Sequence, residues 1–214
     1  MNRKLLLIGG GGHCKSVLDS LSATDFFAVI GIVDIRENIG KFVLKSPVIG
    51  CDDDLIELFQ KGYTHAFISL GSIDNPEMRM KIHANLERIG FEIPNIIDST
   101  SIVSKYAALE KGIYIGKHAV VNADSYIHNG AIINTSSAIE HDCGIGAYSH
   151  IAPGAVLCGG VQIGECTHIG ANSVVKQQVE IGSHALIGMG SVVLHNIADN
   201  TIAYGNPCKE VRSR

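Results

Sequence analysis

Several features are missing from this chain, and each absence narrows what the protein does. No apolar stretch reaches the roughly 18 residues of a membrane span, so bilayer insertion is not expected. There is no long basic run and the formal net charge is −4, which argues against nucleic acid or an anionic membrane as the main partner and favours small molecules. The six cysteines (Cys14, Cys51, Cys143, Cys158, Cys166 and Cys208) form no CxxC pair and are scattered, which suits reduced thiols better than a disulfide framework. The apolar run Leu5 to Ile8 is too short for a signal-peptide core. The expected location is the cytoplasm.

What is present is a repeat. Counting in sixes from Val103 to Val193, every step lands on an aliphatic residue. With about one residue in three aliphatic at random, such a run has a probability on the order of 10⁻⁸. A period of six is a multiple of the strand period of two and fits no helical period, so each hexad reads as a short strand plus a corner of a parallel β solenoid. The fourth residue after each marker is mostly small, as at Ala119, Ser125, Ala131 and Ser137, consistent with a tight turn. Glycine directly after the marker (Gly116, Gly146, Gly164, Gly170, Gly182, Gly188) suggests permissive backbone at the corner. These hexads place a β-helix over residues 97–214.

Residues 1–96 lack the hexads and alternate apolar strand-like runs with helical patterns, so they form a separate α/β domain. The strand Lys4 to Ile8, the turn Gly9 to Gly12 and a helix over His13 to Ala23 make a nucleotide-binding opening, in which backbone N–H groups approach a phosphate at a helix N-terminus. GxGxxG is incomplete here, because Cys14 or Lys15 stands at the last glycine, and the domain is too short for a whole dinucleotide; a nucleotide diphosphate is the expected ligand. A second strand over Phe27 to Val33 ends at Asp34, where such folds carry a ribose-binding acid. A helix near Asp53 to Lys61, a strand His65 to Leu70 closing on Gly71-Ser72 and a helix from Pro76 to about Ile89 follow, and the loop 36–47 is irregular.

The opening Leu-Ile-Gly-Gly-Gly-Gly-His, the stretch from Ile133 through Glu140-His141-Asp142-Cys143, the hexads and the closing Gly205-Asn-Pro-Cys-Lys together resemble the hexapeptide-repeat sugar acyltransferases: the sialic acid O-acetyltransferases and the UDP-4-amino-sugar N-acetyltransferases of bacillosamine and perosamine type. The resemblance implies a Rossmann-like nucleotide-sugar domain followed by a left-handed parallel β-helix, against the usual right-handed crossover preference. It also implies a homotrimer in which acetyl-CoA and the sugar meet between neighbouring β-helices. His141 then matches the general base, with Asp142 as its orienting carboxylate or an exposed corner residue, and Asn134 near the active-site histidine or in an asparagine ladder. Acetyl-CoA falls to His150, to the backbone at Gly159, Ala171 and Met189, and to Lys209. The nucleotide sugar falls to Gly10, Gly11, Gly12 and His13 and to Asp34, Ile35 and Arg36. Within a regular strand, residues 141 and 142 point to opposite faces, so Asp142 reaches His141 only at a corner or across a subunit boundary.

The activity implied is acetyl-CoA-dependent N-acetylation of a nucleotide-linked, UDP-type 4-amino-4,6-dideoxy sugar for a bacterial glycan. O-acetylation of sialic acid is the alternative, and a non-catalytic nucleotide-sugar scaffold ranks behind both. A zinc enzyme on this fold, as in the γ-class carbonic anhydrases, is disfavoured because no two of the ten histidines are five residues apart. His150 and His168, eighteen apart, stack at most as a surface pair, and no metal is expected.

Overall fold

The computed structural model describes residues 3–24, 26–71 and 76–214. The chain divides between Ser99 and Thr100 into two compact units.

The first unit is built around β1 (Lys4–Ile8), α1 (Gly12–Leu21), β2 (Val29–Val33), β3 (Phe42–Val43), β4 (Ser46–Gly50), α2 (Leu55–Gln60), β5 (His65–Ile68) and α3 (Glu77–Ile89). The sheet order is β3-β4-β2-β1-β5, parallel except for the β3–β4 hairpin. β1 is an interior strand between β2 and β5: Leu5, Leu6 and Leu7 are fully buried, as a strand covered on both faces requires. One face of the sheet packs Leu6, Ile8, Val33 and Ile68 against Leu55, Leu58 and Leu86 of α2 and α3. The chain leaves β1 for β2 on one side and returns to β5 on the other, so the carboxyl ends of β1, β2 and β5 surround a topological switch point. The loop 36–47 is more ordered than its sequence suggests, because it contains a 3₁₀ turn at Arg36–Asn38 and the β3–β4 hairpin. Ser72, read from the sequence as the end of the β5 segment, lies outside the described residues.

The second unit is a left-handed parallel β-helix of eighteen-residue coils. Its two-residue strands stack in three faces. The first face runs through Ile102–Val103, Val120–Val121, Ala138–Ile139, Val156–Leu157, Val174–Val175 and Val192–Val193. The second carries Ala108–Leu109, Tyr126–Ile127, Gly144–Ile145, Gln162–Ile163 and Glu180–Ile181. The third carries Tyr114–Ile115, Ile132–Ile133, His150–Ile151, His168–Ile169 and Leu186–Ile187 and is extended by the hairpin of Thr201–Gly205 with Cys208–Ser213. From Ile115 to Val193 every marker of the six-residue count points into the core and is no more than 4% exposed. At about 25 cal/mol per Å² of apolar surface, this stacked column is the main source of the unit's stability.

The corners differ from the reading of their glycines. Every sixth residue from Gly112 to Gly190 has a left-handed backbone, and that residue is the third after the marker, not the first. Most of these positions are not glycine: His118, Asp142, Tyr148 and Gln178 adopt φ between 54° and 62°. The glycines right after the marker have ordinary φ and serve close approach. A Cβ on Gly146 would lie 2.5 Å from both Glu165 N and Gly164 C of the next coil. The small residues one step beyond the left-handed position are buried, and Ser125, Ser149, Thr167 and Ser173 donate to carbonyls at 2.6–3.0 Å.

Candidate active site

The corner after Ala138–Ile139 carries Glu140, His141 and Asp142. Asp142 takes the left-handed conformation at φ 62°, and this turns two consecutive side chains to the same side. His141 Nδ1 donates to Asp142 Oδ2 at 2.6 Å, which leaves Nε2 free to face solvent on a side chain that is 64% exposed. The hydrogen bond to Asp142 holds the imidazole pKa above its ordinary value; desolvation opposes this, and the charges of Asp142 and Glu140 reinforce it. The contact between Asp142 and His141 therefore forms within one chain, at a corner.

One coil later Gly159 lies against the ring. A Cβ there would stand 2.6 Å from His141 Cε1 and 2.7 Å from Nε2, so only glycine leaves the imidazole its place. Beneath the corner, the Cys143 thiol donates to Cys158 O at 3.3 Å, and burial pushes its pKa up, keeping it a neutral thiol.

Asn134 does not reach His141. Its Nδ2 is 3.1 Å from His150 Nε2, while its Oδ1 accepts from the Thr135 N–H at 2.8 Å. Gly116 and Ala152 occupy the equivalent positions of the adjacent coils, so no asparagine ladder forms. The His150 ring packs edge-on to His168, centroids 4.9 Å apart, and His168 is buried. Among the described residues no group of three or more His, Cys, Asp or Glu side chains is arranged to hold a metal ion.

The expected site residues of the β-helix thus fall in two columns. His141, Asp142 and Gly159 occupy corners between the first and second faces. Asn134, Ala171 and Met189 occupy corners between the third and first, with His150 opening its strand on the third face. His141 and His150 are nine residues apart in an eighteen-residue coil, half a turn, so one chain keeps them on different sides of the helix. Met189 is 82% exposed, and Lys209 is exposed on the terminal hairpin, paired with Tyr204. The first face lies between the two columns, and its outward residues are all aliphatic: Ile102, Val120, Ala138, Val156, Val174 and Val192.

In the first unit, the glycine turn and Asp34 come together. The Gly10 N–H donates to Asp34 Oδ2 at 3.1 Å, and a Cβ on Gly10 would sit 2.5 Å from that oxygen. Gly11 and Gly12 face open space at the start of α1. His13 is largely buried, and burial together with the nearby Arg79 charge lowers its pKa to about 4. Ile35 is exposed, and Arg36 pairs with Asp53 at 3.0 Å on the surface. A cleft of about 380 Å³ adjoins the turn. It is lined by Gly10 and Asp34 and by residues that the sequence reading missed: Lys15, Asn38, Lys41, Phe42 and Leu44. Lys41, Phe42 and Leu44 sit on or beside the β3–β4 hairpin, whose position next to the glycine turn no sequence spacing marks.

Residues 4–86 match the family model described as the PglD N-terminal domain, and residues 160–195 match that of the bacterial transferase hexapeptide (six repeats). The structure is similar to a perosamine N-acetyltransferase of Caulobacter crescentus solved with CoA and GDP-perosamine. Identity is 36% over 98% of this chain and 97% of that one, with a TM-score of 0.90. It is likewise similar to the acetyltransferase domain of PglB from Neisseria gonorrhoeae in complex with acetyl coenzyme A: 34% identity, 99% and 100% coverage, TM-score 0.92. WeeI from Acinetobacter baumannii, at 21% identity and a TM-score of 0.78, shares the fold. No described helix is long and apolar enough to cross a membrane. With two relatives above 30% identity matched over 97% or more of each chain, and both family models in place, the chain belongs to the hexapeptide-repeat sugar acyltransferases, as an acetyl-CoA-dependent sugar acetyltransferase.

Proposed function

We propose that this protein transfers the acetyl group of acetyl-CoA to the amino group of a nucleotide-linked 4-amino-4,6-dideoxy sugar, with His141 as general base. The observation that carries the reading is the His141–Asp142 pair: a 2.6 Å bond fixes the tautomer with the proton on Nδ1 and leaves Nε2 as an accessible base. The similarity to proteins holding GDP-perosamine and acetyl coenzyme A supports the substrate classes.

The acceptor ammonium first loses one proton to water to become an amine. As its nitrogen attacks the thioester carbonyl, His141 Nε2 takes the second proton, and Asp142 stabilises the imidazolium. Collapse of the tetrahedral intermediate breaks the C–S bond, and the imidazolium returns that proton to the departing thiolate, giving the amide and CoA-SH. A positioned base of this kind is worth roughly 10²–10⁴ in rate. His150, held by Asn134, takes the developing oxyanion.

His150 and His141 serve one reaction only if they come from neighbouring copies. The aliphatic first face between their columns supplies the packing surface for a homotrimer, which brings the His141 corner of one copy to the His150 corner of the next. Gly159, Ala171 and Met189 then border the acetyl-CoA cleft, and Lys209 meets a CoA phosphate. Gly11, Gly12 and the α1 N-terminus take the diphosphate, and Asp34 the ribose. Lys15 and Lys41 add charge, while Phe42 offers a stacking surface for the base. The family resemblance points to UDP, whereas the Caulobacter protein was solved with GDP-perosamine.

The test is free-thiol release from acetyl-CoA with UDP- and GDP-linked 4-amino-4,6-dideoxy sugars and with sialic acid, for the native protein and for His141→Ala. Release with an amino sugar, lost by more than about a hundredfold in the folded variant, is the expected result. Release with sialic acid alone moves the reading to O-acetylation, and an active His141→Ala removes the base assignment.

A further inference from the structure

The His141 corner is braced by a side chain that no catalytic reading of the sequence touches. Gln162 extends from the second face one coil beyond Asp142. Its Nε2 donates to Asp142 O at 3.1 Å and reaches Gly160 O at 3.5 Å, so one amide ties two successive corners together. Room for it comes from Gly144, the residue stacked directly above it. Any Cβ at position 144 would collide with the Gln162 amide. Asp142 is therefore held through both of its flanking peptide groups, its N–H donating to Ala123 O of the preceding coil at 3.1 Å and its carbonyl accepting from Gln162 of the following one.

We infer that Gln162 is a positioning residue for the reaction, acting through the backbone of Asp142 to aim its carboxylate at His141. The inference rests on His141 being the base. The reason is geometric. Asp142 sits in a left-handed conformation that costs a non-glycine residue about 1–2 kcal/mol, so its φ and ψ hold only while neighbours over-determine them. The ladder bond from the Asp142 N–H holds the left-handed φ, as at the other corners; the Gln162 bond adds a restraint on the 142–143 peptide group, and releasing it loosens the carboxylate relative to an imidazole that is itself exposed. The charged groups facing His141 are Asp142 and Glu140. The coil beneath contributes the uncharged Gly159, and Cys143 is a neutral thiol.

The experiment compares wild type, Gln162→Met, Asp142→Asn and the double variant in the thiol-release assay across pH, with thermal unfolding as a control. Gln162→Met keeps the length of the side chain and removes the donor. The expected result is a fall in kcat of about three- to tenfold, the worth of one hydrogen bond. The KM for acetyl-CoA stays unchanged, and the acid limb of the profile shifts down toward the ordinary imidazole value. In the Asp142→Asn background the same substitution changes kcat by less than about twofold, because the group it aims is gone. Wild-type kcat and pH profile in Gln162→Met overturn the inference. So does an equal loss in both backgrounds, which marks a merely structural role. Gln162→Leu, uncharged and without a donor, repeats the cycle if the methionine variant does not fold. Failure of the base assignment appears separately, as activity retained in His141→Ala.

Discussion

Gly159→Ala separates the position of the catalytic imidazole from its chemistry. The added Cβ would lie 2.6 Å from His141 Cε1, 2.7 Å from Nε2 and 3.2 Å from Nδ1. Unbonded carbon atoms settle at about 3.5–4.0 Å, so the ring must move by about 1 Å. A shift of that size stretches the 2.6 Å bond to Asp142 beyond hydrogen-bonding range. Misplacement of a reacting group by 1 Å costs about 10²-fold, so kcat falls by about 10- to 100-fold. Folding is spared. Gly159 has no left-handed φ to lose, the ring is 64% exposed and swings outward, and stability stays within about 0.5 kcal/mol of wild type. Three measurements are needed: thiol release, thermal unfolding, and an NMR pH titration of the His141 ring. In the variant the pKa drops from its raised value toward 6.5, because its largest cause, the Asp142 hydrogen bond, is broken. Activity within twofold of wild type together with an unchanged titration refutes the reasoning.

Asp142→Asn moves the acid limb of kcat/KM to lower pH, because His141 is a base only when neutral and loses the partner that raised its pKa; the plateau falls as well, and a pH-rate profile reads both. Gly146→Ala, driven against the Glu165 and Gly164 backbone, destabilises by about 1–3 kcal/mol in urea unfolding, whereas Gln178→Gly at φ 59° changes stability by less than about 1 kcal/mol. His13 has a folded pKa of about 4, below its unfolded value, so the unfolded chain binds its proton first as pH falls and stability is lost between about pH 6.5 and 4. About 2 kcal/mol of the wild-type loss between pH 7.5 and 5 comes from this group and is missing in His13→Gln, measured by denaturant titration at the two pH values.

The β-helix was legible because its core is one-dimensional: a buried aliphatic every sixth residue leaves a periodic trace that no loop interrupts. The left-handed corner residue was not. His118, Tyr148 and Gln178 carry no compositional mark of positive φ, because the ladders on either side force the conformation whatever the side chain. Glycine looked like the turn residue and is instead a close-approach residue, a distinction that needs the neighbouring coil. The β3–β4 hairpin was hidden for a different reason: β3 is two residues long, too short for a period to appear. The Asn134–His150 contact left no periodic trace because it spans sixteen residues, two short of the repeat, as the corner side chain folds back onto the next strand.

The corner column that holds His141 departs from the rule of the repeat. In the other two corner columns a close-approach glycine follows the marker directly, at Gly116, Gly170 and Gly188 in one and at Gly146, Gly164 and Gly182 in the other. Between the first and second faces the same position carries Ser104, Asn122, Glu140, Cys158, Lys176 and Leu194, with no glycine among them. The glycine of this column stands one residue later, at 159, one coil below the histidine. Gly146, Gly164 and Gly170 relieve contact with the backbone of the next coil, whereas Gly159 relieves contact with the imidazole of His141 itself. Local rules in a repeat are broken where function requires it. Here the break coincides with a left-handed corner at which consecutive acid and imidazole groups pair. A strand would have sent those two side chains to opposite faces, so a corner, and only one whose next coil leaves space at the second position after the marker, accommodates this base.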